Sequence, residues 1–147
     1  MAREAARRIA AEALVATAAS VLALAAAAQA ESQGSLQPLN ATSHWLNGEA
    51  VAQDREAGWR TTGVGLATHF AATVFWAAIF EAWVRRGRRA PRQVLGKALA
   101  MGGIAAAVDY SATPKRFTPG WEFVLTPASM ALVYLALSGG LALAAAD

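Results

Sequence analysis

Long apolar runs separated by short polar segments dominate this chain. Four of them approach or exceed the length of about 20 residues that an α-helix needs to cross a bilayer at about 1.5 Å per residue. These runs cover about residues 9–30, 62–84, 92–110 and 119–146. The pattern therefore predicts an all-α membrane protein, with four transmembrane helices bundled in a single domain that comprises residues 1–147.

Composition supports a membrane protein. Of the 147 residues, 56% are hydrophobic and 16% are charged, whereas soluble domains average about a quarter charged residues. The chain contains no cysteine, which excludes disulfides and thiolate metal sites. Arginine far outnumbers lysine and alanine is abundant, as is typical of a bacterial genome rich in G and C. The composition thus favours the inner membrane of a bacterium.

Basic residues predict the orientation of the spans. They cluster before the first run and in the loop 85–91, and loops rich in Arg and Lys stay in the cytoplasm. Both termini are therefore expected in the cytoplasm and segment 31–61 on the outer side. The arginines expected to contact anionic lipid head groups are Arg85, Arg86, Arg88, Arg89 and Arg92.

The first apolar run allows two interpretations. A basic start and the triplet Ala28-Gln29-Ala30 are typical of a cleaved signal peptide. The run is, however, longer than the apolar region of most signal peptides and has the right length for a span. We expect a retained helix, and the basic loop keeps the other spans in the same orientation in either case.

The outer segment 31–61 is polar and rich in turns, yet it contains Leu36, Leu39, Trp45 and Leu46. These residues predict a short amphipathic helix that lies on the outer membrane surface. Further along, Thr126-Pro127 either caps and begins the last helix or kinks a longer one, and the sequence leaves both possibilities open.

Charged residues at membrane depth are costly, so each is a candidate functional group with a partner. Glu81 lies near the inner end of the second span, four residues before Arg85 and at a depth similar to that of Lys97. Ion pairs of Glu81 with Arg85 or Lys97 are the structural interpretation. The alternative is a carboxylate that relays protons.

A second polar group is expected on the outer side. If the second and third spans pack as an antiparallel hairpin, His69 and Asp109 approach each other. Asp109 is alternatively expected to pair with Arg116 near the turn. His44 and Glu122 complete the candidate site on this side, where two histidines also raise the possibility of haem or a metal ion.

Small residues four apart allow helices to approach closely in lipid. Such pairs occur on the third span as Gly96 with Ala100 and as Ala98 with Gly102, and on the second span as Ala67 with Ala71. The alternative interpretation is that the pairs only reflect the high alanine content of the chain.

Several segments resemble parts of small uncharacterised bacterial inner-membrane proteins: Asn40–Leu46, Val108–Tyr110, Pro114–Arg116 and Thr118–Glu122. A span that bears histidine and ends in a basic loop is also loosely similar to the YagU-like membrane proteins. The resemblance covers roughly the last two-thirds of the chain. It implies a membrane fold and carries no activity.

No nucleophile elbow, phosphate-binding loop or zinc-protease helix occurs in the chain. No basic helix is interleaved with aromatic residues, which argues against a nucleic-acid partner. The leading hypothesis is therefore a non-enzymatic accessory or assembly subunit of a larger membrane complex or homo-oligomer. The alternatives are a small oligomeric transporter or channel that uses His69, Glu81 and Asp109, and a redox subunit that binds haem or metal.

Overall fold

A computed structural model describes residues 2–87 and 90–146, and these residues form helices and turns without a strand. Two π-helical turns, Trp59–Gly63 and Val108–Ala112, extend the neighbouring helices. The helices are α1 (Ala2–Ala30), α2 (Gln37–Thr42), α3 (His44–Asn47), α4 (Val64–Arg85), α5 (Pro91–Ala107) and α6 (Pro127–Ala145), and short 3-10 segments lie at Glu49–Gln53, Lys115–Phe117 and Trp121–Phe123.

Three helices are long and apolar enough to cross a membrane: Ala2–Ala30, Trp59–Arg85 and Pro127–Ala145. Helix α5, where the sequence predicts a further span, is not among them. It has 17 residues, begins with Pro, Arg and Gln, and carries Lys97 one turn later. These polar residues near its start lower its mean hydropathy.

Helices α1 and α6 pack along most of their length, and α6 packs on α5 with its other side. Glu31, directly after α1, binds Thr126 before α6, whereas Ala16 in the middle of α1 meets Gly140 in α6. The two helices are therefore antiparallel. Their close approach follows from Gly140, because a Cβ atom there would lie 2.5 Å from Ala16 Cα.

Packing between α4 and α5 is sparser, and an apolar groove runs between them. Of the small-residue pairs, only Ala98 and Gly102 are both buried, and a Cβ atom on Gly102 would lie 3.0 Å from the Tyr134 carbonyl oxygen of α6. The other two pairs, Gly96 with Ala100 and Ala67 with Ala71, lie on exposed faces. Close packing therefore involves one of the three pairs.

Residues 31–63 and 108–126 close one end of the bundle, and we call them the cap. At the centre of the cap, all six residues of α2 are buried, which differs from the surface position expected for this segment. Helix α2 lies directly on α4, because Gly65 lacks the Cβ atom that would overlap the Leu39 carbonyl. The buried Asn40 amide donates to the Asp54 and Glu56 carbonyls at 2.9 and 3.0 Å and accepts from the Thr62 hydroxyl at 2.6 Å.

The helix bounds differ from the apolar runs at two places. Helix α1 begins at Ala2, ahead of the run that starts near residue 9. Helix α6 begins at Pro127, with Thr126 as its N-cap residue, so residues 119–126 belong to the cap and not to the last helix. Of the two possibilities for Pro127, the structure has it at the first helical position, where its missing N–H leaves no hydrogen bond unmade.

Candidate functional site

A cavity of about 450 Å³ lies beneath the cap, between α3, α4 and α6. Aromatic rings form much of its wall, and hydroxyl groups, one imidazole and one carboxylate are interspersed among them. The lining residues are Thr42, Trp45, Thr68, His69, Ala72, Thr73, Trp76, Asp109, Phe117, Thr118, Pro119, Trp121, Tyr134 and Leu137. The cavity thus combines an apolar wall with a few polar groups, as small-molecule sites do.

His69 lies on the inner face of α4 and is 5% exposed. Its Nε2 atom is 2.8 Å from the Ser20 hydroxyl of α1. The same hydroxyl is 2.8 Å from the Ala16 carbonyl oxygen, to which it donates. When the Ser20 hydroxyl donates to this carbonyl, it accepts from the Nε2–H of His69.

Ser20 and His69 are as close as a catalytic nucleophile and its base, but Ser20 is not accessible to a substrate. Ser20 is fully buried and is not among the residues that line the cavity. A nucleophile has to reach its substrate, so this hydrogen bond acts as a link between α1 and α4.

Asp109 lies in the π-helical turn that extends α5. The Tyr134 hydroxyl of α6 donates to its Oδ2 atom at 2.6 Å. In residues 2–87 and 90–146, no Lys or Arg forms an ion pair with this carboxylate. The Glu122 carboxylate lies close enough to repel its charge. Asp109 therefore places a carboxyl group at the cavity without a cationic partner from the described part of the chain.

Trp121 forms the centre of the aromatic wall and is 2% exposed. Its ring lies 5.5 Å from the His69 ring and 5.4 Å from the Tyr134 ring. Its indole N–H donates to the Thr42 hydroxyl at 3.1 Å, and the indole N–H of Trp45 donates to the Thr68 hydroxyl at 3.1 Å. Both indoles are thus held in place by hydrogen bonds to threonine.

His44 lies in the cap and does not line the cavity. Its Nδ1 and Nε2 atoms lie 2.9 and 3.0 Å from the carbonyl oxygens of Ala41 and Lys115. Gly120 has a φ of 80°, and a Cβ atom there would lie 2.5 Å from the Ala41 carbonyl oxygen. Glycine at this position thus allows the loop before Trp121 to pack against α2.

The structure therefore brings together only part of the predicted outer site. His69 and Asp109 line one cavity, but their hydrogen-bond partners are Ser20 and Tyr134. Arg116 donates to the Trp45 carbonyl at 3.2 Å, a bond outside the expected pairing with Asp109. Glu122 accepts from the Thr118 hydroxyl. No three His, Asp or Glu side chains converge as metal ligands in the described part of the chain.

At the opposite end, which we call the arginine end, Glu81 is 1% exposed. The Lys97 ammonium donates to the Trp83 carbonyl at 3.0 Å and lies 5.9 Å from the centre of its ring. Arg85, Arg86 and Arg92 are exposed, whereas Arg88 and Arg89 lie outside the described residues. A second carboxylate, that of Glu12 in α1, is also fully buried.

Sequence reasoning missed the residues that hold the site together. Ser20 lies within an apolar run, and its partner His69 is 49 residues away. Thr42 and its partner Trp121 are 79 residues apart. The one signal in the sequence that could have indicated them is an isolated Ser or Thr in an apolar run, since such hydroxyls often form hydrogen bonds between helices in membranes.

No protein-family model, no curated protein sequence and no solved structure matches this chain. The resemblance to the YagU-like membrane proteins stays a prediction from the sequence.

Proposed function

We propose that this chain is a non-enzymatic integral protein of the bacterial inner membrane that binds a small molecule in the cavity beneath the cap. In this proposal both termini lie in the cytoplasm and the cap lies on the outer side. Its small size suits an accessory subunit of a membrane complex, in which ligand binding beneath the cap affects the partner proteins.

The proposed fourth span consists of α5 together with its π-helical turn, from Pro91 to Ala112. These 22 residues span about 33 Å at 1.5 Å per residue, which is close to the thickness of a hydrocarbon core. Lys97 lies two turns from the start, where a long side chain reaches the interface. The exposed arginines beside this end support a cytoplasmic loop.

The observation that carries the proposal is the cavity itself. Its volume of about 450 Å³ lies within the range of roughly 300–1,000 Å³ that is typical of small-molecule sites. Its polar groups come from α4, the end of α5 and α6, so a ligand there contacts several helices at once. Hydrogen bonds fix the polar side chains before a ligand arrives, and such preorganisation lowers the entropic cost of binding.

The chain has no cysteine, so a thiol reagent reacts only with a cysteine that is introduced, and its labelling measures the accessibility of that position. Ala72 and its neighbour Ala71 are both exposed on α4, but only Ala72 is among the residues that line the cavity. In spheroplasts, a small membrane-impermeant methanethiosulfonate should label Ala72→Cys and leave Ala71→Cys unlabelled, because a thiol that faces lipid does not ionise.

The proposal fails if Ala72→Cys is not labelled, or if both positions are labelled equally. Reporter fusions test the topology separately. Alkaline phosphatase should be active when inserted after Glu49 in the cap and inactive when fused after Ala146. The reverse pattern would contradict the proposed orientation.

A further inference from the structure

The cavity beneath the cap adjoins the groove between α4 and α5, because Trp76 lines both spaces. The groove has a volume of about 890 Å³ and begins near Phe75 and Val108. The two adjoining spaces differ in character, with polar groups beneath the cap and apolar side chains along the helices.

Apolar side chains line almost all of the groove. They come from α4, as with Ile79 and Trp83, and from α5, as with Met101 and Ile104, and Arg86 lies at the far end. From Phe75 to Arg86 the groove follows α4 for about 16 Å at 1.5 Å per residue. This shape and chemistry fit one extended hydrocarbon chain.

The polar end favours a cation. The Asp109 carboxylate lines a cavity whose wall includes the rings of Trp45, Trp76, Trp121 and Tyr134. Its one hydrogen-bond donor in the described part of the chain is the Tyr134 hydroxyl, and no lysine or arginine described there pairs with it. Aromatic faces attract ammonium groups, most strongly where water is excluded.

We propose that the ligand is a single-chain amphiphile with a positively charged ammonium head group. The head group binds beside Asp109 against the aromatic wall, and the hydrocarbon chain lies in the groove between α4 and α5. This inference rests on the proposed function, because it names the class of ligand for the same cavity. The shared wall at Trp76 and the Asp109 carboxylate favour this occupant of the groove over a helix from a second copy.

The test uses the full-length Ala72→Cys protein in lipid nanodiscs and follows alkylation by iodoacetamide. Decyltrimethylammonium is the probe. Tetramethylammonium has the same charge without the chain, decanol has the chain without the charge, and decanoate has the chain with the opposite charge. Decyltrimethylammonium should protect the cysteine at a concentration at least about tenfold lower than any of the others, a difference of 1.4 kcal/mol or more.

Two variants in the Ala72→Cys background, Asp109→Asn and Ala82→Phe, separate the two ends of the site, and Glu49→Gln is the control. Asp109→Asn keeps an acceptor for the Tyr134 hydroxyl but removes the charge, so it should weaken protection by decyltrimethylammonium about tenfold or more. Glu49→Gln removes one exposed charge elsewhere in the cap and should leave protection unchanged. Ala82→Phe fills the groove, so it should weaken protection by decyltrimethylammonium but not by tetramethylammonium.

Equal protection by decanoate or decanol would overturn the cationic head group, and equal protection by tetramethylammonium would overturn the chain in the groove. If Ala72→Cys is alkylated and no probe protects it, the proposed ligand class is wrong, but the proposal that the cavity is an accessible binding site is not contradicted. If Ala72→Cys is not alkylated at all, the proposed function itself fails. Disulfide-linked dimers of an Ala82→Cys variant would assign the groove to a second copy instead.

Discussion

The contact between α1 and α6 and the contact between α4 and α5 differ in how closely the helices approach. At the first, Gly140 allows the backbone of α6 to meet Ala16 directly. At the second, bulky side chains such as Trp83 and Ile104 line a groove. The helices of each pair are antiparallel, so the difference lies in the side chains at the contact, which decide whether a groove remains.

Glycine by itself does not bring helices together. Gly96 and Gly103 on α5 have nothing within 4 Å of an added Cβ atom, whereas Gly102 meets the α6 backbone. Helix packing gains energy from van der Waals contact, which requires a complementary surface opposite the small residue. Gly102 has such a surface in α6, and the large residues of α4 and α5 do not provide one to each other.

The largest expected effect comes from placing a larger side chain in the tight contact between α1 and α6. In Gly140→Val the new side chain would meet backbone atoms of Val15 and Ala16, which cannot rotate away. We expect a loss of stability at or above the usual 1–3 kcal/mol for overpacking, measured as a lower midpoint of thermal unfolding in detergent.

Gly139 provides the matched control, because a Cβ atom there has nothing within 4 Å. Gly139→Val should unfold close to the wild-type midpoint. Equal destabilisation by the two substitutions would show that valine disfavours α6 generally and that the contact with Ala16 has no special role.

The second effect concerns the link that holds α4 on α1. Ser20→Ala removes the acceptor of the buried His69 N–H without creating a large cavity. We expect a loss of about 1–3 kcal/mol for the unsatisfied imidazole, measured in the same unfolding assay. Ser111→Ala, at an exposed position, should change little, and a wild-type midpoint for Ser20→Ala would exclude this link as a source of stability.

The third prediction concerns the open contact. Ala82→Phe adds a ring within the groove between α4 and α5, so it should alter stability by no more than about 0.5 kcal/mol, as surface substitutions do. A large destabilisation would mean that α4 and α5 pack more tightly than the groove indicates. Comparison of the unfolding midpoints of Ala82→Phe and Gly140→Val in one detergent checks the contrast directly.

The fourth prediction concerns the site where α1 and α6 meet at the cap. The Glu31 carboxylate accepts from the Thr126 backbone N–H at 3.0 Å and from the Thr126 hydroxyl at 2.6 Å, and also from the Ser129 hydroxyl. These bonds, that of Ser129 foremost, hold the pKa of Glu31 below its ordinary value of 4.5. A negative charge at the N-terminus of α6 is also favoured by the helix dipole.

A lowered pKa gives the sign of the pH dependence. The ionised carboxylate stabilises the fold fully above the ordinary pKa of 4.5, and this contribution is lost as pH falls through the lower folded-state pKa. Glu31→Gln should therefore unfold at a lower temperature than wild type at neutral pH, and the difference should shrink below pH 4.5. A difference that stays constant with pH would show that the charge is unimportant.

Three of the four spans could be predicted as long apolar helices, because the length of an apolar run is visible in the sequence. The cap could not, because it depends on single positions far apart in sequence. Gly65 permits α2 to lie on α4, and Gly120 permits the loop before Trp121 to pack against Ala41. A sequence shows a glycine at each position but not the backbone that approaches it.

The candidate site was predictable to a similar extent. An antiparallel hairpin of α4 and α5 suggested that His69 and Asp109 face one space, and both line the cavity. Their partners, Ser20 and Tyr134, come from α1 and α6. No spacing rule within the hairpin identifies these partners, because they follow from the way the first and last helices pack on it.

The antiparallel contact of α1 with α6 also has a consequence for chain connectivity. Because Gly140 lies opposite Ala16, Ala145 lies opposite about residue 11, and α1 extends some nine residues, about 13 Å, beyond it. A short flexible linker can therefore join the start of α1 to the end of α6, and the chain can be opened in the loop 85–91 instead. Such a circular permutant would carry its new ends on the same side of the bundle as the old ones.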